Sequence, residues 1–176
     1  MLNPGKAIVA LMGAVALTMS ASVPAASSVA ASNDPFSIGM AAQHKAYRAH
    51  YGAASLVLDP ELTRYATNWA QRLAVADGEL SNSRGPYGEN LFMSWPAQPT
   101  PADVVKAWMD GAAKYDYSRP GFSNATGNFT QVVWKGSRKL GVGLARSASD
   151  RWYVIAVYDP PGNYLGQFPQ NVGRYQ

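Results

Sequence analysis

The chain contains no cysteine among its 176 residues. This absence excludes disulfides, a thiol nucleophile and a cysteine-ligated metal site. Many small secreted domains need disulfides because they bury too little surface, but a domain of about 145 residues buries roughly 70% of its unfolded surface and can fold without them. With 47% hydrophobic residues, the chain has enough apolar side chains for the core of one such domain.

Histidine and clustered charge are also scarce. Only His44 and His50 are present, and both precede the middle of the chain, which leaves few candidates for an imidazole ligand or a general base. The formal net charge is +4, and the sequence has no run of Lys and Arg of the kind that marks a nucleic-acid-binding face. We therefore expect no nucleic-acid partner.

The N-terminal 31 residues differ from the rest of the chain. A short segment carrying Lys6 precedes the uncharged apolar stretch AIVALMGAVALTM, which is shorter than the ~20 residues that a membrane span needs. Small residues follow and offer cleavage points after Ala25 or Ala31. This order predicts a secretory signal peptide in residues 1–31. Residues 32–176 are then predicted to form one secreted, extracellular domain without a transmembrane segment.

Helices are predicted in the first half of the domain. Residues 35–51 form one amphipathic segment that ends at Gly52. A second begins at Asp59, a capping residue followed by proline, and a third begins at Thr100 with the same pattern and Asp103 three residues later. The two apolar faces comprise Leu62, Tyr65, Ala66, Trp69 and Leu73, and Val104, Val105, Trp108 and Ala112. The loop between these helices is predicted to turn into a short helix at Glu89.

Strands are predicted in the second half, at residues 129–134, 142–145 and 152–158, because these runs are short, β-branched and aromatic. The last run is apolar at every position, so both of its faces should be covered. Its connections are short, which favours antiparallel pairing. The predicted fold is α+β, a three-layer α-β-α sandwich with a mostly antiparallel central sheet.

Three segments of the chain resemble signature segments of the CAP superfamily, which groups cysteine-rich secretory, antigen-5 and pathogenesis-related group-one proteins. They are GPYGENL (residues 85–91), GNFTQVVWKGSRKLGVG (residues 127–143) and YVIAVYDPPGNYLGQF (residues 153–168). The resemblance implies an α-β-α sandwich, in agreement with the pattern of helices and strands. In lacking cysteine, the chain resembles a cysteine-free branch of the superfamily.

The resemblance also implies a central cleft whose metal-binding set is two histidines and two acidic residues. In this chain those positions are Asn82, Glu89, Gly111 and Asn128, so only the glutamate remains. Amides are poor substitutes for imidazole, so we expect no metal and no cofactor. Asn82 and Asn128 are instead expected to donate hydrogen bonds to the Glu89 carboxylate in a neutral cluster.

Two N-glycosylation patterns, at Asn124 and Asn128, lie close together. The resemblance places Asn128 at the floor of the cleft, where we expect it to be out of reach of a glycosylating enzyme. Asn124 lies in the preceding loop and is the better candidate for a glycan.

The loop before this segment holds Tyr115, Tyr117 and Phe122. Certain fungal members of the superfamily have a loop in this place with this aromatic spacing, and there it is associated with sterol binding. Aromatic rings and a tyrosine hydroxyl suit a rigid apolar ligand with one polar end. The hypothesis requires the rings to be reachable around a groove. The alternative is that they only pack the edge of the sandwich.

Two functions therefore stay open, a secreted non-enzymatic protein that binds a sterol or similar lipid, and an extracellular or defence module that binds a protein or cell-wall partner. A hydrolase is a distant third, because Ser83 would need His44 or His50 as its base. Six residues apart on a helix, the two histidines point about 120° away from each other. We expect them to be surface or packing residues.

Overall fold

The computed structural model of the protein describes residues 34–176. The predicted signal peptide and its two cleavage points lie outside these residues. Within them, no helix combines the length and the apolar character that crossing a membrane requires.

The described chain contains five α-helices and four strands. Their bounds are α1 Pro35–His50, β1 Val57–Leu58, α2 Pro60–Ala76, β2 Gly88–Ser94, α3 Pro101–Met109, α4 Gly127–Val132, β3 Lys139–Arg146, β4 Trp152–Asp159 and α5 Phe168–Asn171. A 3-10 turn, Asp110–Lys114, continues α3.

The predicted helix caps are confirmed. The Asp59 carboxylate accepts hydrogen bonds from the backbone N–H groups of Glu61 and Leu62 at the start of α2. Thr100 and Asp103 form a reciprocal capping box at the start of α3. These bonds satisfy N–H groups that have no partner within the helix, so local sequence alone fixes where α2 and α3 begin.

The four strands form one sheet in the order β1-β3-β4-β2. The β2–β4 and β3–β4 pairs are antiparallel, whereas the short β1 runs parallel to β3. The sheet is therefore mixed but mostly antiparallel, as predicted.

Strand β4 lies at the centre and is covered on both faces, which confirms the three-layer sandwich. One face of β4 packs against α2, whose buried residues include Leu62, Ala66, Ala70 and Leu73. The opposite face packs against α1, α3 and α4 in the larger core. The two sets of β4 side chains are Tyr153, Ile155 and Val157 facing α2, and Val154, Ala156 and Tyr158 facing the larger core.

Two of the predicted elements are wrong. Residues 129–134 were expected to be a strand, but Gly127–Val132 forms helix α4. Phe129 and Val132 of this helix and Val133 at its C-cap are spaced i, i+3, i+4, so one face carries all three into the core. The short helix expected at Glu89 is instead strand β2, which pairs with β4 along its whole length.

Helix α2 lies unusually close to β3. Gly141 and Gly143 are the β3 residues that face it, and a Cβ atom on either would overlap the helix backbone, at the carbonyl of Leu62 or of Ala66 respectively. The two glycines therefore allow the helix backbone to rest on the strand with no side chain between them.

One buried cation joins separate segments of the larger core. Arg48 of α1 has no solvent exposure, and its guanidinium donates to four backbone carbonyls. The acceptors and N···O distances are Ala54 (2.7 Å), Val132 (2.8 Å), Trp134 (2.9 Å) and Ser137 (3.2 Å). Burial lowers the pKa of Arg48 to about 10, so the group stays charged at neutral pH. Because two acceptors lie at the end of α4, this side chain holds α4 against α1.

Candidate functional site

A cleft of about 450 Å³ lies where the start of β2, helix α4 and the segment after β4 meet. Its lining comprises Leu80, Asn82, Tyr87, Gly88, Glu89, Leu91, Phe122, Asn124, Gly127, Asn128, Gln131, Pro161, Gly162 and Asn163. Five of these side chains are amides, and Glu89 is the one carboxylate among the described residues of the lining. The cleft is therefore polar, and amides dominate it.

Three of the four positions that the resemblance assigns to a metal site meet in this cleft. Asn82 lies before β2, Glu89 on β2 and Asn128 in the first turn of α4. Gly111 does not line the cleft. The amides Gln131 and Asn163 do line it, although sequence reasoning missed them. The only signal for them is their position within the signature segments, Gln131 in residues 127–143 and Asn163 in residues 153–168.

The hydrogen bonds of Glu89 differ from the predicted ones. Its carboxylate accepts from the Ser83 backbone N–H at 2.8 Å and from the Ser83 hydroxyl, and not from the amides of Asn82 or Asn128. Since the Ser83 hydroxyl donates to Glu89, the Tyr65 hydroxyl, 2.6 Å away, donates to Ser83 in turn. The expected amide–carboxylate cluster is wrong, because the backbone turn at Ser83 supplies donors closer to the carboxylate than either amide does.

The residues present do not fit the metal of the superfamily's cleft. Gly111 is buried, and a Cβ there would lie 2.8 Å from the Ala125 carbonyl oxygen, so no carboxylate side chain has room at that position. Within residues 34–176, no group of three or more His, Asp and Glu side chains is arranged to hold a metal ion. Asn82 and Asn128 offer only amides, and Glu89 already binds Ser83.

Both glycosylation sequons are on the surface. Asn124 and Asn128 are exposed, and both line the cleft. The expectation that Asn128 is out of reach is wrong, because α4 is a helix whose first turn points this side chain outward. A glycan on either residue would be attached at the lining of the cleft.

A buried chain of hydrogen bonds runs from the cleft to α1. The Asn90 amide donates to the backbone carbonyl of Asn128 at 3.0 Å and to the Tyr158 hydroxyl at 3.3 Å. His44 Nδ1 lies 2.7 Å from the Met40 carbonyl, which can only accept, so Nδ1 carries the hydrogen. His44 Nε2 therefore accepts from the Tyr158 hydroxyl at 2.9 Å. Every member of the chain has a defined donor or acceptor role.

The two histidines have structural surroundings. His44 is fully buried and bonded to Met40 and Tyr158, whereas His50 is exposed and stacks on Tyr175 with ring centroids 4.8 Å apart. In the described part of the chain neither histidine is hydrogen bonded to Ser83 or Glu89. The nearest ring partners of His44 are Trp108 and Tyr158.

Acid should destabilise the protein through His44. Burial lowers its pKa from 6.5 to about 4, so between these values the unfolded chain binds a proton that the folded protein does not. The contribution of neutral His44 is complete above pH 6.5 and decreases as the pH falls toward 4, by about 3 kcal/mol in all. Urea unfolding at pH 7.5 and pH 5 should show about 2 kcal/mol of this loss, and His44→Gln should make it smaller.

The matched control for this experiment is His50→Gln, because His50 is the exposed histidine of the same helix. It should leave the pH dependence of stability unchanged. An equal loss of stability between pH 7.5 and pH 5 in the wild type and in His44→Gln would contradict the assignment to His44.

The three aromatic residues of the loop after α3 are placed differently from one another. Tyr115 is 8% exposed and packs in the larger core, with its ring 4.8 Å from that of Tyr117 and 5.6 Å from that of Phe129. Tyr117 is partly buried and donates to the Gly173 carbonyl at 2.9 Å. Phe122 is 52% exposed and lines the cleft. Only Phe122 is openly reachable, so the loop combines edge packing with one free ring.

Tyr115 nevertheless borders two cavities. One, of about 350 Å³, lies beneath the loop and includes Phe122 in its lining. The other, of about 240 Å³, is bounded by Tyr117, Pro120, Pro169, Val172, Gly173 and Arg174. The Tyr115 hydroxyl is buried without a hydrogen-bond partner among the described residues. Burial raises its pKa, and the nearby Gly121 backbone amide, which can only donate, lowers it in part. The hydroxyl proton is therefore left without an acceptor.

Comparison with known proteins identifies relatives over most of the chain. The family model described as "CAP: Cysteine-rich secretory protein family" matches residues 41–158. Protein PRY2 of Saccharomyces cerevisiae is 41% identical over 140 residues, which are 78% of this chain and 41% of PRY2. This chain thus spans about two fifths of the length of that relative. The basic form of pathogenesis-related protein 1 from Nicotiana tabacum is 39% identical over 127 residues, 72% of this chain and 71% of the tobacco protein.

Solved structures share the fold. A hookworm platelet inhibitor superposes with a TM-score of 0.63 at 19% identity, covering 78% of this chain and 75% of the inhibitor. NaASP2, whose structure was determined with Zn²⁺, superposes with a TM-score of 0.61 at 24% identity, covering 78% and 85% of the two chains. At these identities the likeness shows the arrangement of helices and strands alone.

Proposed function

The chain belongs to the CAP, or cysteine-rich secretory protein, family, and from this premise we propose that it is a secreted, non-enzymatic protein that binds a sterol or a similar apolar lipid. The binding site is the aromatic loop of Tyr115, Tyr117 and Phe122 with the two cavities beside it. Secretion is supported by the sequence pattern of residues 1–31 and by the family description.

The observation that carries the proposal is the unpartnered hydroxyl of Tyr115. A buried hydroxyl without a partner costs about 1–3 kcal/mol, and a ligand group that accepts its proton would remove that cost. The side chain that carries this hydroxyl lines both cavities. A sterol supplies one hydroxyl that can accept this proton, and its rings suit the apolar walls made by Tyr117, Pro120 and Val172.

No catalytic residue is assigned in this proposal. A serine hydrolase would need a base beside the Ser83 hydroxyl, but its neighbours are Tyr65 and Glu89, and both histidines are engaged elsewhere. The Tyr65–Ser83–Glu89 contacts fix the turn before β2 and thereby hold Glu89 at the edge of the cleft.

Equilibrium binding of a fluorescent sterol to the wild type, Tyr115→Phe and Phe122→Ala tests the proposal. Tyr115→Phe removes only the hydroxyl, so we expect about tenfold weaker binding because one hydrogen bond to the ligand is lost. The same change should leave the free protein as stable as the wild type or more stable, since it removes an unsatisfied buried group. Phe122→Ala should weaken binding by about tenfold or more through lost apolar contact.

Leu165→Ala is the matched control, because Leu165 is an exposed apolar residue on a different loop. It should not change the affinity. If the wild type shows no saturable sterol binding, or if Tyr115→Phe binds as tightly as the wild type, the proposed site is wrong and the aromatic residues serve packing alone.

A further inference from the structure

The amide-lined cleft is separate from the lipid cavities, and Phe122 is the one described residue that it shares with them. We propose that this cleft binds an uncharged oligosaccharide. The proposal does not depend on lipid binding at the aromatic loop, because Tyr115 and Tyr117 do not line the cleft.

The charge of the lining argues against ionic ligands. Among the described residues that line the cleft there is no Lys, Arg or His, and Glu89 is the one ionisable carboxylate. A phosphate, a sulfate or an acidic sugar would meet this carboxylate without a compensating cation. A ligand without charge avoids the repulsion and still finds many hydrogen-bonding groups.

Two of the five amides are used within the protein and shape the walls. Gln131 accepts from the Gly162 N–H at 2.9 Å and donates to the Ser137 hydroxyl at 3.2 Å. Asn163 accepts from the Thr130 hydroxyl at 2.6 Å and donates to the Gly127 carbonyl at 2.9 Å. These bonds join the segment after β4 to α4, so this side of the cleft has a defined shape before any ligand arrives.

The other three amides are available to a ligand. The side chains of Asn82, Asn124 and Asn128 are exposed and form no hydrogen bond to any other residue of the described chain. Each amide offers both an acceptor and a donor group, which is the combination that a sugar hydroxyl also presents. The backbone of Asn128 is itself held by Asn90 through its carbonyl, which positions this amide at the mouth of the cleft.

Carboxylate and aromatic groups complete the site. Glu89 is oriented by its bonds to Ser83, and its remaining lone pairs can accept from ligand hydroxyls. The rings of Tyr87 and Phe122 line the cleft and provide apolar surface for the C–H face of a sugar ring. A volume of about 450 Å³ lies within the range of small-ligand sites and accommodates a short oligosaccharide or the end of a longer one.

The test is a titration of the full chain, produced in bacteria so that both sequons are unmodified, and followed by the NMR signals of the side-chain amides. The probes are tetramers of β-1,3-glucan, chitin and mannan, with a tetragalacturonate as the anionic comparison. We expect at least one neutral tetramer to shift the amide signals of Asn82, Asn124 and Asn128 saturably. The anionic tetramer should bind more weakly.

Variants then locate the binding. Asn128→Ala and Asn82→Ala should each weaken the affinity for the neutral tetramer by about tenfold, whereas Gln98→Ala, an exposed amide outside the cleft lining, should not. Tyr115→Phe should leave sugar binding unchanged, which separates a failure here from a failure of the lipid proposal. If no neutral tetramer binds saturably, if the anionic tetramer binds more tightly, or if Asn128→Ala has no effect, the proposal is overturned.

Discussion

Replacing Arg48 with methionine should lower the free energy of unfolding by roughly 3–5 kcal/mol. Methionine keeps much of the length and apolar volume of the side chain but removes every donor, which leaves four backbone carbonyls without their partner. Lysine has a single ammonium group and cannot span acceptors on four residues, so Arg48→Lys should also be destabilising, by roughly 2–3 kcal/mol. Urea unfolding monitored by tryptophan fluorescence measures both changes.

Arg72→Met provides the matched control, since Arg72 is an exposed arginine on α2. It should change the stability by less than about 0.5 kcal/mol. Equal stability of Arg48→Met and Arg72→Met would show that water replaces Arg48 as the donor to the four carbonyls. Arg48 would then not be what holds α4 against α1.

Gly143→Ala should destabilise the protein by at least ~3 kcal/mol, or prevent folding altogether. The effect is large although the substitution adds only one methyl group. The added Cβ overlaps the backbone carbonyl of Ala66, and a helix backbone cannot move aside as a flexible side chain can. Helix α2 would have to separate from β3, which would open the buried layer of Leu62, Ala66 and Ala70. Thermal unfolding and the yield of soluble protein measure this effect.

Gly121→Ala is the control for this substitution, because no heavy atom lies within 4 Å of the Cβ position and the backbone there needs no positive φ. It should be neutral, or stabilising by about 0.4–1 kcal/mol through the unfolded state. Wild-type stability in Gly143→Ala would contradict the close contact of α2 with β3.

The fold is predictable from the sequence where local chemistry and tertiary packing favour the same element. Asp59 and Thr100 cap helices whose apolar faces match the sheet, and β4 is apolar from Trp152 to Tyr158 because both of its faces are covered. The α4 segment is one of the two exceptions, with β2 as the other. Its β-branched and aromatic residues favour a strand, but their i, i+3, i+4 spacing suits the core, and packing outweighs the weak local preference in so short a helix.

The candidate site could be predicted only in part, for a similar reason. The resemblance identifies Asn82, Glu89 and Asn128 as positions of one cleft and shows that Asn82 and Asn128 are substitutions. It does not give the partner of Glu89, since the turn that brings the Ser83 N–H to the carboxylate depends on backbone geometry between α2 and β2. The unpartnered hydroxyl of Tyr115 is also a property of three-dimensional packing, which aromatic spacing does not reveal.

The hydrogen-bonded chain from Asn128 through Asn90, Tyr158 and His44 ties one wall of the cleft to α1. Moving the first turn of α4 away from β2 would break the Asn90–Asn128 bond, which is continuous through Tyr158 with His44 of α1. The opposite wall, residues 78–87, has no regular structure and is mostly exposed. Hydrogen bonds on either side of Asn82 nonetheless tie this wall to α2 and β2, since the Trp69 indole donates to the Ser81 carbonyl and the Ser83 N–H donates to Glu89. Both walls are therefore shaped before a ligand arrives, and the cleft selects ligands by fit rather than by closing around them.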